Sequence, residues 1–146
     1  MKTASVLFSL LLLPSFAAPD HDGTWKLNAA KSETGDRPAP QMTMKVTTKG
    51  AEFEVLQTTD SSDLLLKFRD DGKEAVNQLP GGAVMRSTHH WEAGALLGEY
   101  RITTPEGLIT QLDRITYSTD GKMMTMDREI KTTQGAFKMK LVFDKQ

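Results

Sequence analysis

Residues 123–143 read MMTMDREIKTTQGAFKMKLVF, and this stretch decides the fold class. Met124, Met126, Arg128 and Ile130 share one parity, while Thr125, Asp127, Glu129 and Lys131 share the other. After Gln134-Gly135 the alternation restarts as Phe137, Met139, Leu141 and Phe143, with Lys138 and Lys140 between them. Strand side chains alternate between faces, whereas a helix would space its apolar residues three and four apart. Two alternating runs around a glycine-containing turn predict a β-hairpin.

The same pattern extends outward along the chain. Met42/Met44/Val46, Ala51/Phe53/Val55 and Leu64/Leu66/Phe68 alternate with polar residues. Turn signals recur at Lys49-Gly50, Asp60-Ser61-Ser62, Asp70-Asp71-Gly72, Pro80-Gly81-Gly82, Ala93-Gly94, Pro105-Glu106-Gly107, Asp120-Gly121 and Gln134-Gly135. The resulting expectation is about ten strands, at 23–28, 41–48, 51–59, 63–69, 73–78, 83–92, 95–104, 108–118, 122–133 and 136–144. Short hairpins make sequence neighbours spatial neighbours, and closing such a meander removes its exposed edges. An all-β, antiparallel up-and-down β-barrel follows, with a two-sheet sandwich left open as the alternative. No helical stripe is present. Residues 28–40 are too few for a helical hairpin, and Gly35, Pro38 and Pro40 leave room for one turn around Ala29–Ser32.

Composition narrows the function. The 146 residues carry 18 Lys+Arg and 19 Asp+Glu, and the pI near 6.3 comes without a basic stripe, which argues against nucleic-acid binding. The absence of cysteine excludes a disulfide scaffold, a cysteine-ligated metal and a lipidated cysteine anchor. Roughly a third of residues 18–146 are apolar, lean for a globular chain and suited to strands buried on one face. At the start, Met1-Lys2-Thr3, the apolar run Ala4–Leu13, Pro14 and the small residues Ser15 and Ala17 have the form of a signal peptide cleaved after Ala17. The run is too short for a membrane span of about 20 residues. The expected organisation is a signal peptide at 1–17 and one domain at 18–146, exported to a periplasmic or extracellular setting and not integral to the membrane.

Asp22-Gly23-Thr24-Trp25-Lys26-Leu27 opens the first expected strand, and Leu141-Val142-Phe143-Asp144-Lys145-Gln146 closes the last. Together with Asn28 and Lys31-Ser32, these ends resemble the calycin superfamily of lipocalins and fatty-acid-binding proteins, and among them small secreted bacterial proteins with a lipocalin-like domain. The resemblance implies a structural role for Gly23 and Trp25, with a late-strand basic residue, Lys138 or Lys140, packed over the tryptophan. It also exposes two departures. Leu141 and Phe143 stand where fatty-acid-binding proteins carry the arginine and tyrosine that grip a carboxylate, and there is no room for their helix-turn-helix lid.

Candidate binding residues follow from parity. Met85, Ser87, His89 and Trp91 face inward, as do Leu96, Gly98, Tyr100 and Ile102, with Gly98 leaving space beside a ligand. Gln111 and Asp113 share the face of Ile109 and Ile115. The expected pocket combines His89, Tyr100, Asp113 and Arg128 with a flexible apolar wall of Met85, Met124 and Met126. Its alternative is a filled core in which Arg128 and Asp113 pair structurally. His89 and His90 point to opposite faces, His90 with Glu92 reads as a surface charge ladder, and the Asp-Gly turns lack a calcium-loop pattern, so no metal is expected. No nucleophile elbow, phosphate loop or dinucleotide fingerprint occurs, and neither catalytic residue nor cofactor is assigned. Three functions remain: binding of a small hydrophobic or amphipathic molecule, a filled-core module for a protein or envelope partner, and a small barrel enzyme.

Overall fold

Alternation with period two becomes ten strands: β1 (Gly23–Leu27), β2 (Met42–Lys49), β3 (Glu52–Thr59), β4 (Asp63–Arg69), β5 (Ala75–Gln78), β6 (Val84–Glu92), β7 (Ala95–Thr104), β8 (Gly107–Tyr117), β9 (Met123–Thr132) and β10 (Gly135–Lys145). They are seen in a computed structural model that describes residues 17–146. Apart from Ala17, the segment read as a signal peptide lies outside the described residues. All strand pairs are antiparallel, in the order β4-β3-β2-β1-β10-β9-β8-β7-β6-β5. The chain's first and last strands close the sheet, with Trp25 opposite Lys145 and Leu27 opposite Phe143. The architecture is therefore the up-and-down barrel, not the sandwich.

Closure has one seam. β4 and β5 follow each other in sequence yet share no strand ladder. The seam is clasped by Asn77, whose side-chain oxygen accepts from the Lys67 N–H at 2.9 Å while its amide donates to the Lys67 carbonyl at 2.8 Å. One side-chain amide thus imitates a backbone peptide and satisfies edge groups that would otherwise stay unpaired. Lower on the seam, the Gly72 N–H donates to the His89 carbonyl at 2.9 Å. Gly72, at φ 78, turns the chain toward β6 and shortens β5 to four residues against the six expected.

The long connection after β1 makes a single 3-10 turn at Ala29–Lys31, capped by the Asn28 side chain. It then runs beside β10, where Glu33 and Lys140 exchange both backbone hydrogen bonds at 2.7 and 2.8 Å. It forms a strap, with no helical lid. The β6–β7 hairpin turns on Ala93 (φ 50) and Gly94 (φ 81), the positive pair that matches strand twist. Inward residues form the core, in which Trp25, Phe143, Leu96 and His89 are the largest fully buried side chains.

Candidate binding site

Register lines up the inward residues of β6 to β10 into cross-strand rows. His89 stands opposite Gly98, Gly98 opposite Asp113, Asp113 opposite Arg128, and Arg128 opposite Met139. The next row toward the open end is Ser87, Tyr100, Gln111, Ile130 and Phe137. The four polar candidates are thereby brought into neighbouring positions, because all four strands keep their alternation without a bulge.

Arg128 and Asp113 form a two-pronged ion pair. Nε donates to one carboxylate oxygen and Nη2 to the other, each at 2.8 Å, and Gln111 adds a third bond at 3.2 Å. The Asp113 side chain is fully buried, whereas Arg128 keeps about a fifth of its surface exposed (22%). Parallel bonds of this kind are the strong form of an ion pair. They hold the guanidinium charged, above its ordinary value, against the burial that opposes it. Arg128 Nη2 also lies 3.0 Å from the Met126 sulfur.

Below this pair lies an enclosed cavity of about 140 Å³. His89, Tyr100, Arg128, Met85, Met124 and Met126 all line it, while Asp113 sits behind Arg128. Aromatic packing keeps it small. The His89 ring meets Phe68, Phe53 and Tyr100 edge-on, with centroids 5.0, 5.4 and 5.1 Å away. His89 Nε2 and Tyr100 Oη share a hydrogen bond of 2.8 Å, whose donor is set by the imidazole tautomer. Burial lowers the His89 pKa to about 4, although Asp113 and Asp70 pull the other way. Burial likewise pushes the Tyr100 hydroxyl well above its ordinary value. Two buried polar atoms have no hydrogen-bond partner among the described residues, His89 Nδ1 and Ser87 Oγ.

Above the pair the barrel flares into a mouth of about 890 Å³. Its apolar wall is Ile102, Ile109, Ile130 and Phe137, and the Arg37 guanidinium from the strap lies 4.0 Å from the Phe137 ring centroid. Gln111 lines both mouth and enclosed cavity, and so forms the threshold between them.

Two expectations change. Gly98 does not leave space for a ligand: a Cβ there would lie 2.8 Å from the His89 ring, so the missing side chain accommodates the imidazole. The cation over Trp25 is Lys145, with Nζ 5.4 Å from the ring, and neither Lys138 nor Lys140, whose parity turns them outward. Gly23, at φ 135, provides the room, since a Cβ would lie 2.7 Å from the Lys145 Cε. Trp25 is fully buried as expected.

Strand alternation does not reach His21, which precedes β1. The segment before β1 crosses the barrel end, and His21 is buried against Phe53, Trp91 and Tyr117 at 5.1, 5.4 and 6.4 Å. Its carbonyl accepts the Trp25 indole N–H at 3.0 Å, and its Nε2 lies 3.0 Å from the Thr48 hydroxyl. Burial lowers its pKa too, against the pull of nearby Asp22. The one available signal was the indole N–H, which needed a partner close by. On the outer surface, His90 and Glu92 form an exposed pair 3.6 Å apart. Among the described residues no group of three or more His, Asp or Glu is arranged to hold a metal ion, and no helix is long and apolar enough to cross a membrane.

No protein-family model and no curated protein matches the chain. Solved structures do. Caenorhabditis elegans lipid binding protein 8 superposes with a TM-score of 0.65 at 13% identity, over 86% of this chain and 94% of that one. An abundant heat soluble (SAHS) protein of Ramazzottius varieornatus gives 0.67 at 10% identity, over 89% and 98%. Zebrafish ileal bile acid-binding protein, complexed with cholic acid, gives 0.61 at 17% identity, over 86% and 98%. Identities this low speak for the fold alone. With ten antiparallel strands closed through β1 and β10 and these barrels as its structural likenesses, the domain has the fold of a calycin-like β-barrel.

Proposed function

We propose that the protein is an exported binding protein that holds a small apolar or amphipathic molecule inside its barrel. The observation that carries this reading is the mouth: a concave apolar wall of Ile102, Ile109, Ile130 and Phe137 opens to solvent and meets the enclosed cavity at Gln111. A packed structural core would not leave four large apolar side chains around a basin of about 890 Å³. The lipid binding protein and the cholic acid complex among the structural likenesses support the same reading. Export rests on the form of residues 1–17. A second reading, a filled barrel acting through its outer surface on a protein or envelope partner, draws on the enclosed cavity, which is smaller than the roughly 300 Å³ usual for ligand pockets.

Native mass spectrometry of the exported, processed chain tests the proposal. An adduct of a few hundred daltons that vanishes on denaturation is the expected result, with the chain beginning at Ala18. A bare mass that stays unchanged after soaking with a mixed lipid panel overturns it in favour of the filled barrel.

A further inference from the structure

We infer that the ligand is an amphipathic organic anion that lies with its negative head group outermost, on the Arg37 guanidinium. Its apolar body rests against Ile102, Ile109, Ile130 and Phe137. The inference rests on the binding reading above and adds the ligand's charge, its orientation and the residue that selects it.

The mouth is sorted by chemistry along its depth. Between Gln111 and the rim its wall is apolar, and Arg37 and Glu106 are the two charged residues among those that line it. Glu106 lies in the β7–β8 turn, where its N–H donates to Thr104 Oγ1 at 3.2 Å. Arg37 comes from the strap, which the Glu33–Lys140 backbone bonds fasten to β10. Thr34 closes a turn on it: the Thr34 hydroxyl donates to the Arg37 carbonyl, and the Thr34 carbonyl accepts the Arg37 N–H at 3.4 Å. The guanidinium is thus carried on anchored backbone and set 4.0 Å from the Phe137 ring centroid, at the outer end of the apolar wall. Its N–H groups make no ion pair and no hydrogen bond among the described residues, although Asp36 is adjacent in sequence and Glu106 lines the same basin.

The deeper cation is worse placed for a charged head group. Arg128 keeps Nη1 outside the bonds it makes to Asp113 and Met126, but a fully buried carboxylate already balances its charge. An anion there would set two carboxylates on one guanidinium and leave a net negative charge in a desolvated interior. The enclosed cavity of about 140 Å³ also gives the body of such a ligand little room, whereas the mouth offers about 890 Å³. At the rim the head group keeps part of its water, so pairing with Arg37 carries little desolvation cost. The planar fork of a guanidinium suits a carboxylate or sulfate, and it disfavours a cationic head outright.

The test titrates the processed chain with decanoate, decanol and decyltrimethylammonium by calorimetry, and follows the arginine Nε–H resonances by NMR. Decanoate should bind most tightly and decyltrimethylammonium least, with the spread narrowing at high salt. Decanoate should shift the Arg37 resonance and leave that of Arg128 in place. Arg37→Gln should weaken decanoate about fivefold, the upper end for a solvent-facing ion pair, and leave decanol unchanged. Arg37 is exposed, and the resonance comparison needs no variant, so the test decides even if the substitution disturbs the strap. Decanol binding as tightly as decanoate overturns the inference while the wider binding reading stands. So does decanoate that moves the Arg128 resonance and not that of Arg37, or that binds Arg37→Gln undiminished. A chain that takes none of the three probes and weighs bare in native mass spectrometry overturns both.

Discussion

The two ends of the barrel are made from the same alternating strands and differ in what crosses them. At the closed end Trp25 and Phe143 are fully buried, and the segment before β1 lays His21 over the opening. At the mouth Ile102, Ile109, Ile130 and Phe137 have the same inward parity but stay partly exposed, with Arg37 set over Phe137. Inward parity therefore makes a residue a candidate for the core, and a crossing segment makes it core. One end carries stability and the other keeps access, with the Arg128–Asp113 pair and Gln111 between them.

The sharpest way to break this contrast is to truncate one aromatic at each end. Trp25→Ala should cost about 3–5 kcal/mol in urea unfolding, the range for losing a buried tryptophan. Phe137→Ala should cost only about 1 kcal/mol, because its ring is half-wet already. Equal losses would show that the mouth is as structural as the plug. At the boundary, Arg128→Leu leaves a buried carboxylate unmatched and should cost about 3–5 kcal/mol, while adding Asp113→Leu should restore most of it. A double variant as unstable as the single one would mean that the pair is not a closed charge unit.

Acid should reach the closed half through its histidines. His89 has a folded pKa of about 4 against an ordinary 6.5, so the unfolded chain takes up its proton first as the pH falls. Its contribution to stability is intact above pH 6.5 and is lost progressively down to about pH 4, on the order of 3 kcal/mol in total. His21, lowered for the same reason, adds in the same sense. Urea midpoints of the native chain and of His89→Gln, compared at pH 7 and pH 4, should diverge by that amount, and parallel midpoints would refute it. A smaller effect than that of the histidines is expected at the seam. Asn77→Ala removes both bonds to the Lys67 backbone and should cost about 1–2 kcal/mol, with faster hydrogen exchange at the Lys67 amide. Unchanged exchange there would mean that the seam is held by other contacts.

Much of the site was legible along the chain because alternation is local. Parity alone placed Met85, His89, Tyr100, Arg128, Met124 and Met126 on the inner face, and all six line the enclosed cavity. It also brought Asp113 within reach of Arg128, since both lie on strands that run without a bulge. What stayed illegible depended on contacts distant in sequence. His21 precedes the first strand and so belongs to no alternation that could reveal its burial. Asn77 reads as one more polar strand residue, yet it bridges the one pair of consecutive strands that do not form a ladder. Lys145 covers Trp25 because of the β1–β10 register, and the space at Gly98 is taken by a ring from the adjacent strand.

The amino-acid sequence by itself determined strand number, turn positions, inward parity and the candidate polar set, all of which follow from side-chain alternation and turn chemistry over a few residues. Only the tertiary structure decided how much of the interior stays empty, which end is closed, where the sheet is clasped by a side chain, and that Arg128 is matched by Asp113. Those outcomes depend on registers and packing volumes summed around the whole barrel, where a ring displaced by an ångström or two separates a filled core from a binding cavity.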